Sequence, residues 1–381
     1  MDLTPNHSIL SNSLNSIANP LLSQFSLSEL KVFNQAQGFP AFSAEQIYDW
    51  FFKRLETEPA RWTNVSKKAK EFFQEQMDLS LPQVIWQGLS KDGTRKFLIR
   101  FKDGKTVETV AISARNRLTA CLSTQVGCAI GCTFCHTGTQ GFTRHLQANE
   151  IVGQFLAVQK WLKEFGQESE RLTNIVYMGQ GEPLHNFDNV KKATEIFMEA
   201  KGIGLGQRKI TLSTSGLCPQ IEKLADFPPV NIAISLHAAH DNIRSELMPI
   251  NKIYDLKRLL KAIKTIPLKA HRRITYEYLL IKDLNDRQAD LDALCLLLNK
   301  KESKVNLIPF NEYPDSKFKR PDQEKILWFN GELNRLGLTC TIRTTKGDDI
   351  LAACGQLISR YESKNKVGVN RIVDPENSMM L

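Results

Sequence analysis

The ten residues from Gly127 to His136, GCAIGCTFCH, space Cys128, Cys132 and Cys135 as C-x3-C-x2-C. Three thiols this close cannot all pair off among themselves, and three thiolates fall one short of the four ligands that a structural zinc ion takes. A zinc site would have to borrow a fourth donor, and His136, directly after Cys135, does not readily reach the same ion. A 4Fe–4S cluster held by three thiolates instead leaves one iron open to a further ligand. The remaining alternative, three unrelated core thiols, is opposed by the tight spacing just after a strand. A second stretch, MGQGEP from Met178 to Pro183, is a glycine-rich strand end closing on a carboxylate. Alone it says no more than a tight turn. The other cysteines are Cys121, Cys218, Cys295, Cys340 and Cys354; eight in 381 residues are too few for a disulfide scaffold. Without a secretory signal, clustered cysteines read as metal ligands or redox groups.

These residues need elements to place them. Residues 1–24 are rich in Ser and Asn and are expected to be a flexible leader. From Ser26 to Leu79 the pattern is helical: Ser43 and Gln46 stand in capping-box spacing, Ile47, Trp50 and Phe51 fall on one face, and Ser66 opens a further helix. Three apolar-rich segments separated by Asp92-Gly93 and Asp103-Gly104 predict a β-meander over 84–112. From Leu118, six β-rich runs alternate with helical stretches and a seventh, TCTIRTT, trails. Spacings of this kind suit parallel strands joined by crossover helices, which gives an α/β fold, an open (β/α) barrel with its ligand groups at the C-terminal strand ends. The cysteine triplet follows the first of these strands and MGQGEP the second. The expected division is a leader at 1–24, a helical accessory domain at 25–80, a β-meander extension at 81–115, the barrel at 116–345 and a C-terminal segment at 346–381.

Hydrophobic content of 42% and charged content of 24% describe a soluble globular chain. No apolar run reaches the eighteen or so residues of a membrane span, and the opening residues lack a signal-peptide pattern, so the expected location is cytoplasmic, with no membrane partner. The formal net charge is +9. Its densest source is Lys252 to Ile274, with Lys257, Arg258, Lys261, Arg272 and Arg273 among its bases and Asp255 its one acid. Such a segment either tracks a phosphate backbone or forms a solvated outer helix.

Cysteines spaced C-x3-C-x2-C after a first strand, with a Gly-rich Glu-Pro turn after the second, form the pattern of radical S-adenosylmethionine (SAM) enzymes. With ITLSTSG, AISLHA, NLIPFN and GDDILAACGQL added, the chain resembles the RlmN/Cfr family of radical SAM RNA methyltransferases, from the helical segment to the Cys354 segment. The resemblance implies a partial (β/α)6 radical SAM barrel with a 4Fe–4S cluster on Cys128, Cys132 and Cys135. It implies a SAM site at Gly181, Glu182, Ser213, Ser235, Leu236, His237 and Asn311, with two SAM molecules used per turnover. Cys354 resembles the cysteine that becomes S-methylated, Cys121 its resolving partner through a transient disulfide, and Glu108 the proton acceptor. Family substrates are 23S ribosomal RNA and transfer RNA, modified at adenosine C2 in the RlmN type, while the Cfr type acts at C8 of the ribosomal adenosine. An electron donor such as flavodoxin and a monomeric state are expected. A radical route suits such a target, because the aromatic C2–H is not a nucleophile. The alternative from another class is a non-catalytic RNA-binding protein with a structural metal. His136 is assigned no role, Cys218, Cys295 and Cys340 read as core, and Asp348 and Asp349 either position the Cys354 loop or cap it.

Overall fold

The computed structural model describes residues 19–115, 117–166, 170–269, 272–313 and 316–357. The expected leader falls outside these residues over 1–18, as does the tail beyond 357. Of the remaining leader residues, Leu22–Gln24 form a 3-10 turn with Leu22 fully buried.

Three helices follow: α1 (Leu27–Ala36), α2 (Ala41–Tyr48) and α3 (Lys67–Gln76). Ser26 and Glu29 cap α1 reciprocally, and the Ser66 hydroxyl caps α3. The capping box expected at Ser43 does not form. α2 starts earlier, after Pro40, whose extended backbone leads into a first turn that already contains Ser43. The Ser43 hydroxyl is committed elsewhere: it donates to the Pro40 carbonyl at 2.6 Å and accepts from the buried Asn34 amide at 2.9 Å, tying α2 to α1. A π turn at Asp49–Lys53 then lets Phe51 and Phe52, adjacent in sequence, both bury. These helices share one apolar core with the rest of the chain. Tyr48 lies flat against Gly202, where a Cβ would come within 2.5 Å of the ring, and Glu29 and Glu45 reach Lys192 and Lys201 at 2.8 and 3.3 Å.

The meander is β1 (Gln83–Leu89), β2 (Arg95–Arg100) and β3 (Thr106–Ala114), antiparallel throughout, and β3 pairs antiparallel with β4 (Arg117–Cys121). A short hairpin, β5 (Gln125–Gly127) and β6 (Phe142–His145), leads to α4 (Ala148–Phe165). Then come β7 (Leu172–Tyr177), α5 (Phe187–Met198), β8 (Ile210–Thr214), α6 (Cys218–Ile221), β9 (Asn231–Ser235), α7 (Asp241–Leu247) and α8 (Leu256–Ile263). β10 (Ile274–Leu280), α9 (Gln288–Leu297), β11 (Ser303–Pro309), α10 (Gln323–Arg335) and β12 (Cys340–Ile342) complete the order. The sheet runs β1-β2-β3-β4-β7-β8-β9-β10-β11-β12, parallel from β4 onward. β4, β7, β8, β9, β10 and β11 are the six expected barrel strands, and β12 is the trailing seventh. Along each strand alternate residues face opposite sides. Ala120, Ile175, Leu212, Ile232, Tyr276 and Val305 are buried in the apolar core. Their neighbours Thr119, Asn174, Thr211, Asn231, Thr275 and Lys304 are polar and half-buried.

Candidate active site

The three-cysteine loop is the turn of the β5–β6 hairpin rather than a direct extension of β4. Main-chain bonds hold its shape: Cys128 N–H donates to Gly141 at 2.8 Å, Thr133 N–H to Leu247 at 3.0 Å, and Gly138 N–H to Cys135 at 3.0 Å. One cavity of about 160 Å³ at the C-terminal strand ends is lined by Cys128, Cys132, Cys135, Gly181, Glu182, Ser213, Ser235, His237 and Cys354. Nine expected site residues, drawn from five separate stretches of chain, therefore meet around one cavity. Leu236 is not among them, because its side chain packs in the core and its carbonyl accepts from Arg244.

Burial and the mutual proximity of the thiols set the electrostatics here. Burial pushes Cys128 up to about 12, and Cys132 and Cys135 are also raised, burial acting first and the neighbouring cysteine charges adding. Thiols in such a place ionise when a cation stabilises them. Among the described residues no three Cys, His, Asp or Glu side chains gather tightly enough for a single metal ion. A cluster takes its thiolates on separate irons, so three soft donors spread along one cavity wall fit it better than they fit zinc.

The MGQGEP turn is built by backbone freedom and buried amides. Gly181 has φ +98°, and a Cβ there would come 2.5 Å from Gln125, whose Oε1 accepts from Glu182 N–H at 2.9 Å. The buried Glu182 carboxylate accepts from Ser215 N–H at 2.7 Å and Leu184 N–H at 3.0 Å; burial raises its pKa against those bonds. His237 also takes a left-handed backbone, φ +60°. Its Nδ1 accepts from Leu279 N–H at 3.1 Å, and burial, helped by the Arg244 charge, lowers the imidazole to about 3, so the ring is neutral.

Cys354 sits on a segment, 347–357, strapped across this end of the barrel. His136 N–H donates to Gly355 at 2.7 Å, Thr137 Oγ1 to Leu357 at 2.7 Å, and Asn311 Nδ2 to the Cys354 carbonyl at 3.3 Å. The meander supplies the rest: Ser90 Oγ donates to Asp349 at 2.6 Å, Lys96 Nζ to the Leu351 carbonyl at 3.1 Å, and Gly347 N–H to Asp92 at 3.0 Å. Asp348 accepts from Gln356 at 2.8 Å, so both aspartates position the loop. Cys121, at the end of β4, packs with Val110, Ala352 and Leu357. A second cavity of about 680 Å³ is lined by Cys121, Cys354 and Asn311 together, and it shares Met178, Glu277, Ile308, Arg343 and Cys354 with the first. Burial first, then the Cys354 charge, pushes Cys121 up to about 12, while Arg343 pulls it down. All described cysteines are free thiols.

Glu108 lines neither cavity. It is buried on β3 and ion-pairs with Lys96 at 3.1 Å, the same lysine that holds the Cys354 loop. Sequence reasoning missed Arg343, Glu277 and Arg244. Arg343 follows β12 between the two cavities, 3.9 Å from Glu277, and the Cys354 charge, then Glu277, raises its pKa. Arg244 is fully buried and donates to Ser215 O, Ser235 O, Leu236 O and Asn251 Oδ1, fastening the ends of β8 and β9. The available signal was a charge inside an otherwise apolar strand, as in ITYEYLLI and TCTIRTT.

An open parallel barrel with three thiols at its C-terminal rim beside a Gly-rich Glu-Pro turn defines a radical SAM enzyme, and the Radical SAM superfamily profile matches residues 122–295. That superfamily carries a 4Fe–4S cluster and uses SAM. A crystal structure of a radical SAM methyltransferase from Sphaerobacter thermophilus superposes with a TM-score of 0.82 at 40% identity, covering 88% of this chain and 98% of that one. The dual-specificity RNA methyltransferase RlmN of Marinobacter nauticus is 41% identical over 340 residues, 89% of this chain and 92% of its own length. That of Syntrophus aciditrophicus is 44% identical over 332 residues, 87% and 94% respectively. The chain belongs to the RlmN family. Among the described residues no helix is long and apolar enough to cross a membrane.

Proposed function

We propose that this radical SAM RNA methyltransferase methylates C2 of a specific adenosine in 23S ribosomal RNA and of the adenosine 3′ of the anticodon in some transfer RNAs. What carries the reading is the union of Cys354 and Cys121, far apart in sequence, in one cavity that opens onto the three-cysteine cavity. There Cys128, Cys132 and Cys135 hold the cluster, and Gly181, Glu182, Ser213, Ser235 and His237 frame SAM, with Asn311 reaching it from the second cavity and Leu236 contributing main chain only. With both groups bound, SAM supplies a methyl group and a carbon-centred radical, hence two molecules per turnover. Cys354 Sγ carries the methyl carbon to the adenine ring. Glu108, which is paired with Lys96 and lines neither cavity, takes the ring proton. Cys121 Sγ, as thiolate, then attacks Cys354 Sγ; the bond from Cys354 sulfur to the transferred carbon breaks, that carbon takes up a proton to become the methyl group of the freed base, and a Cys121–Cys354 disulfide remains to be reduced by an external donor. An external electron donor of the flavodoxin kind reduces the enzyme, which works as a cytoplasmic monomer.

The test is nucleoside mass spectrometry of 23S and transfer RNA after reaction with the reconstituted enzyme. The expected product is 2-methyladenosine, absent with Cys354→Ala. Formation of 8-methyladenosine instead would replace the C2 assignment by the Cfr type, and unmodified RNA alongside SAM cleavage would refute RNA as the substrate.

A further inference from the structure

The inside of this barrel is the reverse of a packed one. In a closed (β/α)8 barrel, bulky branched side chains fill the interior in layers. Here the face opposite the apolar core carries Thr119, Asn174, Thr211, Asn231, Thr275 and Asn306, all half-buried, around the cavity of about 680 Å³. A space of that size falls in the range of about 300–1,000 Å³ that encloses a small ligand or one end of a larger one. Its upper end is the wall shared with the cysteine cavity, where Cys354 and Arg343 stand and where segment 347–357 is tied to His136 and Thr137. Its lower end, at the N-terminal ends of the strands, is ringed by bases: Arg117, Arg208, Lys209, Arg273 and Lys304.

Those five bases stand at or just before the starts of four strands, β4, β8, β10 and β11, and none has an ion-pair partner among the described residues. Arg273 belongs to the basic run singled out in the sequence, whose α8 bases Lys257, Arg258 and Lys261 do not line this cavity. On α8, Arg258 is paired with Glu222 at 2.7 Å, and in the KFKR stretch Lys317 and Lys319 reach Glu246 and Glu312 at 3.2 and 3.5 Å. Unpaired cations around a polar, water-open mouth are an electrostatic funnel for a polyanion. From Arg117 to Cys121 the strand climbs about 13 Å at ~3.3 Å per residue, a depth that an extruded nucleotide bridges with its phosphate at the rim and its base inside.

We propose that RNA enters from the N-terminal end of the barrel. Arg117, Arg208, Lys209, Arg273 and Lys304 grip its phosphates, and the target base passes the Thr and Asn wall to reach Cys354 and Cys121 from below. The site is thus loaded from two ends, cofactor at the C-terminal rim and substrate at the N-terminal mouth, whereas ligands of open α/β sheets ordinarily sit at the C-terminal ends. This rests on the RNA methyltransferase reading above.

The experiment compares two charge-reversal variants of the reconstituted enzyme, Arg208→Glu/Lys209→Glu/Arg273→Glu at the mouth and Lys257→Glu/Lys261→Glu on α8. The probe is an RNA hairpin carrying the unmodified target adenosine, titrated by fluorescence anisotropy between 50 and 300 mM salt. Each phosphate contact contributes about 0.7–0.9 to the slope of log K against log salt, so the mouth variant should lose about 2–3 from the slope and bind at least tenfold more weakly. The lysine version of the mouth, Arg208→Lys/Arg273→Lys, should retain affinity and slope, and an unchanged unfolding midpoint separates charge loss from misfolding. Undiminished affinity and slope in the mouth variant, with wild-type methylation intact, overturns the inference while leaving the RNA reading in place. A loss confined to the α8 variant does the same. A wild-type enzyme that neither binds nor methylates the hairpin overturns both.

Discussion

If Cys121 resolves the covalent intermediate, its protonation governs how fast product leaves. Its thiol lies near 12, held there chiefly by burial and then by the Cys354 charge, with Arg343 acting in the opposite sense. In the adduct Cys354 is an uncharged thioether, so burial alone holds the Cys121 thiol up; the thiolate is a minor species at pH 7.5 and rises tenfold per pH unit until the pKa is reached. The resolving step should therefore quicken about a hundredfold from pH 7 to pH 9, with unit slope in log rate against pH. Removing the Arg343 charge takes away the group that favours the thiolate, and an opposite charge in close range is worth about one pKa unit or more. Arg343→Gln should slow resolution about tenfold or more and so accumulate protein–RNA adduct, as Cys121→Ala does completely. The assay is single-turnover reaction with labelled RNA, quenched in denaturant, with the nuclease-sensitive adduct band followed on a gel at four pH values. A resolution rate independent of pH from 7 to 9, or an Arg343→Gln enzyme that shows no adduct, refutes the reasoning.

Two further outcomes follow from buried groups. Arg244→Met removes four hydrogen bonds worth about 1.5–3 kcal/mol each and exposes three carbonyls at the ends of β8 and β9. The relief of guanidinium burial, whose pKa is lowered to about 10, returns roughly 3 kcal/mol. A net loss of about 3 kcal/mol or more in denaturant unfolding, together with weaker SAM binding by calorimetry, is expected, and an unchanged midpoint would refute it. His237 remains neutral to about pH 3 in the folded chain, whereas the unfolded chain protonates it near 6.5. Its contribution is fully present above pH 6.5 and is lost as pH falls, reaching about 2 kcal/mol by pH 5. His237→Asn, whose side chain tolerates the left-handed backbone, should flatten the stability profile between pH 6.5 and 5; an unaltered profile would show that other groups control it.

The sequence by itself determined those parts of the protein whose partners are near neighbours in the chain. The spacing of Cys128, Cys132 and Cys135 is legible as one candidate ligand set because a short loop keeps them near one another whatever surrounds it. The Asp92-Gly93 and Asp103-Gly104 turns and the period-two apolar pattern define the meander and strands for the same reason. Ser43 shows the limit even for local signals: its capping spacing is correct, but a hydrogen bond from Asn34 on the neighbouring helix claimed its hydroxyl. Tertiary structure alone decided that the meander pins the Cys354 loop through Ser90, Asp92 and Lys96, and that Glu108 lies against that lysine rather than in the solvent. It also decided that Arg343 and Glu277 stand between the two cavities. The bases of the lower mouth are scattered in the sequence, Arg117, the pair Arg208 and Lys209, Arg273 at the end of the basic run, and Lys304. They form a field only because parallel strands in register start at one level, bringing charges at the starts of four strands within reach of one polyanion.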